Sequence, residues 1–250
     1  MTILIVSDLH YNLKQYDWVL SVAEDYDMVI IAGDLLDVAG HADLDTQIIV
    51  IVKYLNRLRE KVPVIVCSGN HDGDAKNEAG EYICKWLQKA RNENLHVDGE
   101  TLEFEDGSVC VCPWWDGPVT REEMVGFIEG EKGKLQGRWI WVHHAPPTES
   151  PVSWTGSKDA GDSFFLECLR KYHPALAFSG HIHNSPFAVG GRWVDRIEST
   201  WVFNPGREIG PTPAHIVLDI GEMKARWFSS SGVQEVELKG DSCEPTAVLA

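Results

Sequence analysis

Ile3-Leu4-Ile5-Val6-Ser7-Asp8-Leu9-His10 sets an unbroken apolar run directly before an aspartate and a histidine. A continuous run rich in β-branched residues predicts a strand from Ile3 to Ser7 buried on both faces, as in a parallel sheet. The arrangement returns further along. Met28 to Ala32 is a second such strand, stopped by Gly33-Asp34, and Pro63 to Cys67 is a third, followed by Ser68-Gly69-Asn70-His71-Asp72. Helical spacing predicts helices over Leu13 to Asp25, Asp43 to Glu60 and Ala75 to Arg91. In the second of these, Ile48, Ile49, Ile51, Val52, Leu55 and Leu58 form a broad apolar stripe.

From about residue 95 the pattern becomes mixed. Leu102 to Phe104 and Val109 to Cys112 flank Asp106-Gly107, a hairpin signal, and a helix is expected around Arg121 to Glu129. Trp139 to Val142 reads as a strand ending in His143-His144, Phe164 to Tyr172 as a helix, and Ala175 to Phe178 as a strand ending in Ser179-Gly180-His181-Ile182-His183. A second hairpin is expected around Gly190-Gly191, with later strands at Val202-Phe203, His215 to Ile220 and Ala225 to Phe228. Alternating βα units followed by hairpins predict an α/β fold of two packed sheets with helices outside. No repeat or linker interrupts the chain, so one domain is expected over residues 1–237, with 238–250 as a loose polar tail.

Composition narrows the function. Lys and Arg number 22 against 38 Asp and Glu, a formal net charge of −16. That balance speaks against duplex nucleic acid, whose binding relies on cationic side chains neutralising phosphates. It also speaks against anionic membrane surfaces. No apolar run approaches the roughly 18 residues of a membrane-spanning helix. Asp8 comes too early for a signal peptide, so a cytoplasmic protein is expected. The six cysteines show no C-x-x-C pair, and Cys110 and Cys112 alternate along a strand, as buried thiols would.

The decisive feature is positional. Each of five strands ends in a loop with groups able to bind metal: Asp8 and His10, Asp34, Asn70 with His71 and Asp72, His143 with His144, and His181 with His183. Sites in parallel α/β sheets gather outside the carboxyl ends of the strands, so these side chains can meet in one crevice. Singly, each motif has a plainer reading. Gly33-Asp34 is ordinary turn chemistry, and Asp72 could cap a helix. Together they are hard to explain that way, because six of the ten histidines sit at strand ends.

As an ordered set, D-x-H, G-D, G-N-H-D, H-H-x-P-P and G-H-x-H resemble the calcineurin-like metallophosphoesterases, over residues 3 to 206 and including Asn204-Pro205-Gly206. The resemblance implies a four-layer αββα sandwich of two mixed β-sheets flanked by helices, with a dinuclear metal centre that hydrolyses phosphate esters. Carried over by position, one metal is implied at Asp8, His10, Asp34 and His183. The other is implied at Asp34, Asn70, His143 and His181, with Asp34 bridging. His143 is preferred to His144 because it directly follows Val142. His71 matches the non-ligand histidine beside the leaving group, acting as general acid, with Asp72 its orienting partner. The implied nucleophile is a metal-bridging hydroxide.

Two divalent cations suit this chemistry, since they generate hydroxide near neutral pH and clamp the phosphoryl oxygens. Two carboxylates among neutral ligands leave the centre able to accept an anion. Mixed N/O ligands favour Mn, Fe, Co, Ni or Zn over Mg or Ca. The eukaryotic-type Ser/Thr phosphatases carry an arginine after G-D and Glu after G-N-H, whereas Leu35 follows Asp34 and Asp72 follows His71 here. A small-molecule phosphodiesterase, as in the similar small bacterial enzymes, is therefore favoured over a phosphomonoesterase or protein phosphatase. A non-catalytic scaffold of the same fold, like the retromer subunit, is the other alternative. His41, His144 and Arg207 are candidates for substrate contacts. Trp114-Trp115 either stacks on a substrate ring or, as expected of tryptophan, packs in the core.

Overall fold

Leu4 and Val6 face one side of the first strand and Ile3 and Ile5 the other, and this alternation sets the architecture. The structure, a computed structural model, describes residues 1–134, 137–239 and 243–248. The strands, in chain order, are β1 (Thr2–Val6), β2 (Met28–Ala32), β3 (Val64–Cys67), β4 (Ala75–Lys76), β5 (Tyr82–Ile83), β6 (Leu95–Val97), β7 (Thr101–Phe104) and β8 (Gly107–Val111). They continue as β9 (Arg138–Val142), β10 (Leu176–Phe178), β11 (Val194–Ile197), β12 (Thr200–Phe203), β13 (His215–Asp219), β14 (Lys224–Ser229), β15 (Gly232–Glu237) and β16 (Thr246–Val248). The helices are α1 (Leu13–Val22), α2 (Leu44–Arg59), α3 (Lys85–Ala90), α4 (Pro118–Lys132) and α5 (Ser163–Tyr172).

An eight-stranded sheet runs β16-β15-β14-β13-β1-β2-β3-β6, and a six-stranded sheet runs β11-β12-β10-β9-β8-β7. Ile3, Ile5, Ile30 and Ile65 of the first meet Val109, Ile140, Phe178 and Phe203 of the second in a core between the sheets. The opposite face of the first sheet, with Leu4, Val6, Ile31 and Val66, packs on Val19, Ile51 and Leu55 of α1 and α2. On the second sheet, Cys110, Trp141 and Ala177 pack on Met124, Ile128, Phe165 and Leu169 of α4 and α5. The result is the expected αββα sandwich, and Cys110 and Cys112 are indeed fully buried.

Within the first sheet β1, β2, β3 and β6 are parallel, and within the second β8, β9, β10 and β12 are parallel. Two helix starts are fixed by Asp43 accepting from Thr46 N–H and Asp162 from Phe165 N–H, both at 2.9 Å.

Three expectations are corrected. Residues 75–91 are not one helix: β4 and β5 form a small hairpin before α3. Asn77 Oδ1 accepts from Ala79 and Glu81 N–H at 3.0 Å, turning the chain, and Asp74 Oδ1 accepts from Lys85 N–H at 2.6 Å, starting α3 late. The segment around Gly190-Gly191 is a series of turns, with Phe187 and Ala188 N–H both bonded to the Asn184 carbonyl at 2.9 Å; the hairpin lies later, between β11 and β12. The C-terminal stretch is not wholly a loose tail. Leu238 is buried, and β16 pairs antiparallel with β15, Val248 opposite Val233. Among the described residues, no helix is long and apolar enough to cross a membrane.

The loop after β3 is braced from β6. Asp98 is buried and accepts a hydrogen bond from Ser68 N–H at 2.8 Å, two residues before Asn70. Burial raises its carboxyl to about 6, against the lowering effect of Ser68. The folded protein therefore binds a proton that the unfolded chain has released between pH 4 and 6, so stability falls as pH climbs through that window and levels off above it. Asp98→Asn keeps an oxygen acceptor and removes the titration. In urea unfolding, the variant should gain about 2–3 kcal/mol on the native protein between pH 4 and pH 7. A difference that does not change with pH would refute the assignment.

Candidate metal centre

The motif residues lie in loops at the carboxyl ends of β1, β2, β3, β9 and β10. The backbone there is unusual. Asp8, His10, Asp34 and His181 all have positive φ, at 55°, 40°, 53° and 66°. Such conformations cost energy in non-glycine residues and collect at functional sites. The neighbouring glycines permit the tight approach. A Cβ on Gly69 would stand 2.2 Å from Asp34 Oδ1, and one on Gly180 would stand 2.4 Å from Asp8 Oδ2.

Three groups of potential ligands result, and Asp34 belongs to two of them. Asp8, His10, Asp34 and His183 each present a ligand atom within 4.8 Å of the others, as do Asp34, His144 and His181. Asp34 Oδ2 lies 3.2 Å from His144 Nε2 and 3.5 Å from His10 Nε2. His183 Nε2 is 3.2 Å from Asp8 Oδ1 and 3.1 Å from His10 Nε2. Asn70 joins the second group through its Oδ1, 2.8 Å from His181 Nδ1. The carboxylates are held from behind: Asp8 Oδ1 accepts from His181 N–H at 3.0 Å, and Asp34 Oδ1 from His71 N–H at 2.9 Å.

The structure separates the paired histidines. Side chains alternate along β9 and its extension, so His143 follows Trp141 toward the helices and His144 follows Val142 toward the first sheet. His143 stacks on Trp115 at 4.1 Å and packs on Phe165, away from Asp34. His144 is the one in the cluster. Its Nδ1–H donates to the Ala32 carbonyl at 2.7 Å, which fixes the ring with Nε2 facing inward. That Nε2 stands 3.2 Å from the Asp34 carboxylate, in an ion pair that a metal ion could replace.

Asp72 is also reassigned. Its carboxylate accepts from the N–H groups of Leu35, Leu36 and Gly69 at 2.8–3.0 Å, so it clamps the Asp34 and Asn70 loops together rather than orienting His71. His71 Nδ1 instead faces Val38 N–H at 3.4 Å, which turns Nε2 toward the cluster, 4.0 Å from Asp34 Oδ2. Asp37 is the carboxylate grouped with His71 and His10, and the sequence reading did not single it out.

Of the remaining candidates, His41 is exposed and lies outside these groups. Arg207 stands beside the site, its backbone N–H bonded to the His183 carbonyl at 3.1 Å. The tryptophan pair divides: Trp115 is buried, whereas half-buried Trp114 places its ring 5.5 Å from His181.

The electrostatics suit cations. Burial disfavours ionisation of Asp34, but His144 and His71 overcome it and hold the carboxyl well below its usual range. Burial likewise opposes a charge on His144, yet Asp34 and Asp8 raise it to about 9. Burial brings His10 and His181 down to about 4 and His143 to about 3. Two buried carboxylates among mainly neutral imidazoles form a site that gains from positive charge, and an arriving ion must displace the His144 proton.

Residues 1–223 match the calcineurin-like phosphoesterase superfamily domain. The chain belongs to that family, whose members act on phosphate esters and bind divalent metals. Its fold is similar to that of TT1561 from Thermus thermophilus, with a TM-score of 0.59, 14% identity and coverage of 95% of this chain and 99% of that one. It is also similar to purple acid phosphatase PPD1 from yellow lupin seeds, with a TM-score of 0.57, 14% identity and coverage of 95% and 51%. In sequence, 103 residues are 30% identical to a subunit of the nuclease SbcCD from Staphylococcus epidermidis, 41% of this chain and a quarter of that relative's length.

Replacing either histidine of the β9 pair separates their roles. His144→Ala should lower metal affinity by 10-fold or more in equilibrium dialysis with Mn or Zn, whereas His143→Ala should retain it and lose thermal stability. Equal affinity in the two variants would reject the geometric assignment.

Proposed function

We propose that the chain is a phosphodiesterase for small phosphate diesters, working with two divalent metal ions. The observation that carries this reading is the pair of ligand groups joined at the Asp34 carboxylate. Asp8, His10, Asp34 and His183 would hold one ion, and Asp34, Asn70, His144 and His181 the other. When bound, such ions lower the pKa of coordinated water and neutralise the phosphoryl oxygens. The mixed N/O donors fit Mn, Fe, Co, Ni or Zn better than Mg or Ca.

The chain's own residues do the rest. Asp72 holds the loops carrying Asp34 and Asn70 in register through three backbone N–H groups. His71 directs Nε2 at the reaction side; as the imidazolium it would give its Nε2 proton to the departing ester oxygen and become a neutral imidazole, whose Nδ1 then accepts from Val38 N–H. Asp37, rather than Asp72, is its carboxylate neighbour. The wall on the opposite side includes Trp114, close to His181 and His144.

The diester preference rests on the absence of a phosphatase-type arginine in Gly33-Asp34-Leu35-Leu36-Asp37-Val38. The nuclease relative supplies a second reading, a nucleic-acid substrate. The net charge of −16 weighs against long duplexes, which need a basic track.

Elemental analysis of protein reconstituted with Mn or Zn should find two ions per chain, reduced in Asp34→Asn. Bis-p-nitrophenyl phosphate should turn over faster than p-nitrophenyl phosphate; the reverse order would favour a monoesterase. No turnover of either, with metal bound, would leave a non-catalytic scaffold. His71→Asn should keep its metal yet lose about 10²–10⁴-fold in kcat on alkyl esters, with much less loss on p-nitrophenyl esters, whose leaving group needs no proton. Equal losses on both would remove His71 from the general-acid role.

A further inference from the structure

A cavity of about 810 Å³ opens on the His183 side of the ligand cluster. Two residues join it to the centre. Asn184 follows His183 in the chain, and Arg207 bonds the His183 carbonyl through its backbone N–H; both line the cavity. We propose that this cavity receives the organic group of the ester substrate, a planar heteroaromatic group of nucleoside size, with the Arg207 guanidinium meeting the phosphate at the junction. The proposal rests on the phosphoesterase reading above and specifies its substrate class.

The volume lies in the range of small-molecule sites. The lining is largely apolar, with Phe187, Ile209 and Phe228 among its side chains. Aromatic rings line it: Phe187 and Phe228, the latter backed by the buried His215 ring, which stacks on it at 4.9 Å and packs on Trp18 at 4.6 Å. Polar groups share the same wall. His215 Nδ1 bonds the Pro213 carbonyl at 2.9 Å, which leaves Nε2 as an acceptor, and Thr212 adds a hydroxyl. An aliphatic chain would strand these groups without partners, whereas a heteroaromatic ring offers an apolar face together with donors and acceptors at its edge.

The wall is built in advance. Gln15 Nε2 donates to the carbonyls of Glu208 and Gly210 at 2.6 and 2.9 Å, fastening the 207–213 segment to α1. The Glu208 carboxylate is occupied by the N–H and hydroxyl of Ser230, so its charge is not directed at an incoming anion. Ile209 is 85% exposed and Phe187, whose ring rests on Trp227 at 5.4 Å, is still 40% exposed, so together they form an apolar rim.

Two esters with the same leaving group test the idea, methyl p-nitrophenyl phosphate and thymidine 5′-(p-nitrophenyl phosphate). In the metal-loaded native protein, kcat/KM should be at least tenfold higher for the thymidine ester, mainly through KM. Ile209→Asp and Phe187→Asp, both at exposed positions, should each bring the ratio toward one. A native ratio near one, or a preference that survives both substitutions, overturns the proposal while turnover of the methyl ester leaves the phosphoesterase reading standing. Absence of p-nitrophenolate release from both esters and from bis-p-nitrophenyl phosphate would overturn the two together.

Discussion

The buried carboxylate of Asp34 is the constraint around which the molecule is arranged. It is 1% exposed, and within 4 Å of Oδ2 stand the Nε2 atoms of His144, His10 and His71. Asp8, also buried, adds a second negative charge that repels the first. Two such charges in a medium of low polarity are tolerated only with positive charge between them. Among the histidines around them, His144 gains that charge because both carboxylates face it, while burial keeps His10 and His181 neutral. A cation held between the two carboxylates would supply that charge, and its binding would then couple to stability.

The two-sheet architecture makes this convergence possible. β1, β2 and β3 deliver loops from one sheet, and β9 and β10 from the other, all at their carboxyl ends. The interdigitated core of Ile5, Ile30, Val142 and Phe178 fixes the spacing between the sheets at about 10 Å, close enough for side chains from both to meet. Left-handed backbone at Asp8, Asp34 and His181 then turns each chain sharply into the crevice. Those strained turns are sustained by hydrogen bonds between loops, such as His181 N–H to Asp8 and His71 N–H to Asp34.

The central strands were legible because parallel strands buried on both faces read as uninterrupted apolar runs. β15 and β16 were not: Val233 to Glu237 alternates with charged residues, and Thr246–Val248 is exposed and held by backbone pairing. Residues 75–91 misled because Tyr82, Ile83, Trp86 and Leu87 fall at helix-like intervals, while the turn made by Asn77 is a side-chain effect that periodicity does not register. At the site, the ligand types were readable from motif order, but His143 was preferred over His144 by adjacency to the strand. The period of two along β9 was the available signal, and it points to the other residue. Asp72 bonds the loops while Asp37 stands beside His71, because three-dimensional reach, not sequence proximity, selects a histidine's partner. The cavity beyond Arg207 had no sequence signature at all, since its walls come from three separate segments without a shared motif.

The acidic exterior bears on how an anionic ester is recognised. At physiological ionic strength the Debye length is about 8 Å, so most of the net charge of −16 is screened from a substrate at the centre. The same screening denies the protein a long-range positive field to draw the substrate in. On the proposed reading, affinity would arise from contact, at the bound ions and on the part of the ester beyond the phosphate. Arg207 sits where those two regions meet, fastened by its backbone to His183 and by its neighbours to α1. A rigid apolar cavity at that junction can confer selectivity on a reaction centre that, by itself, would discriminate little among phosphate esters.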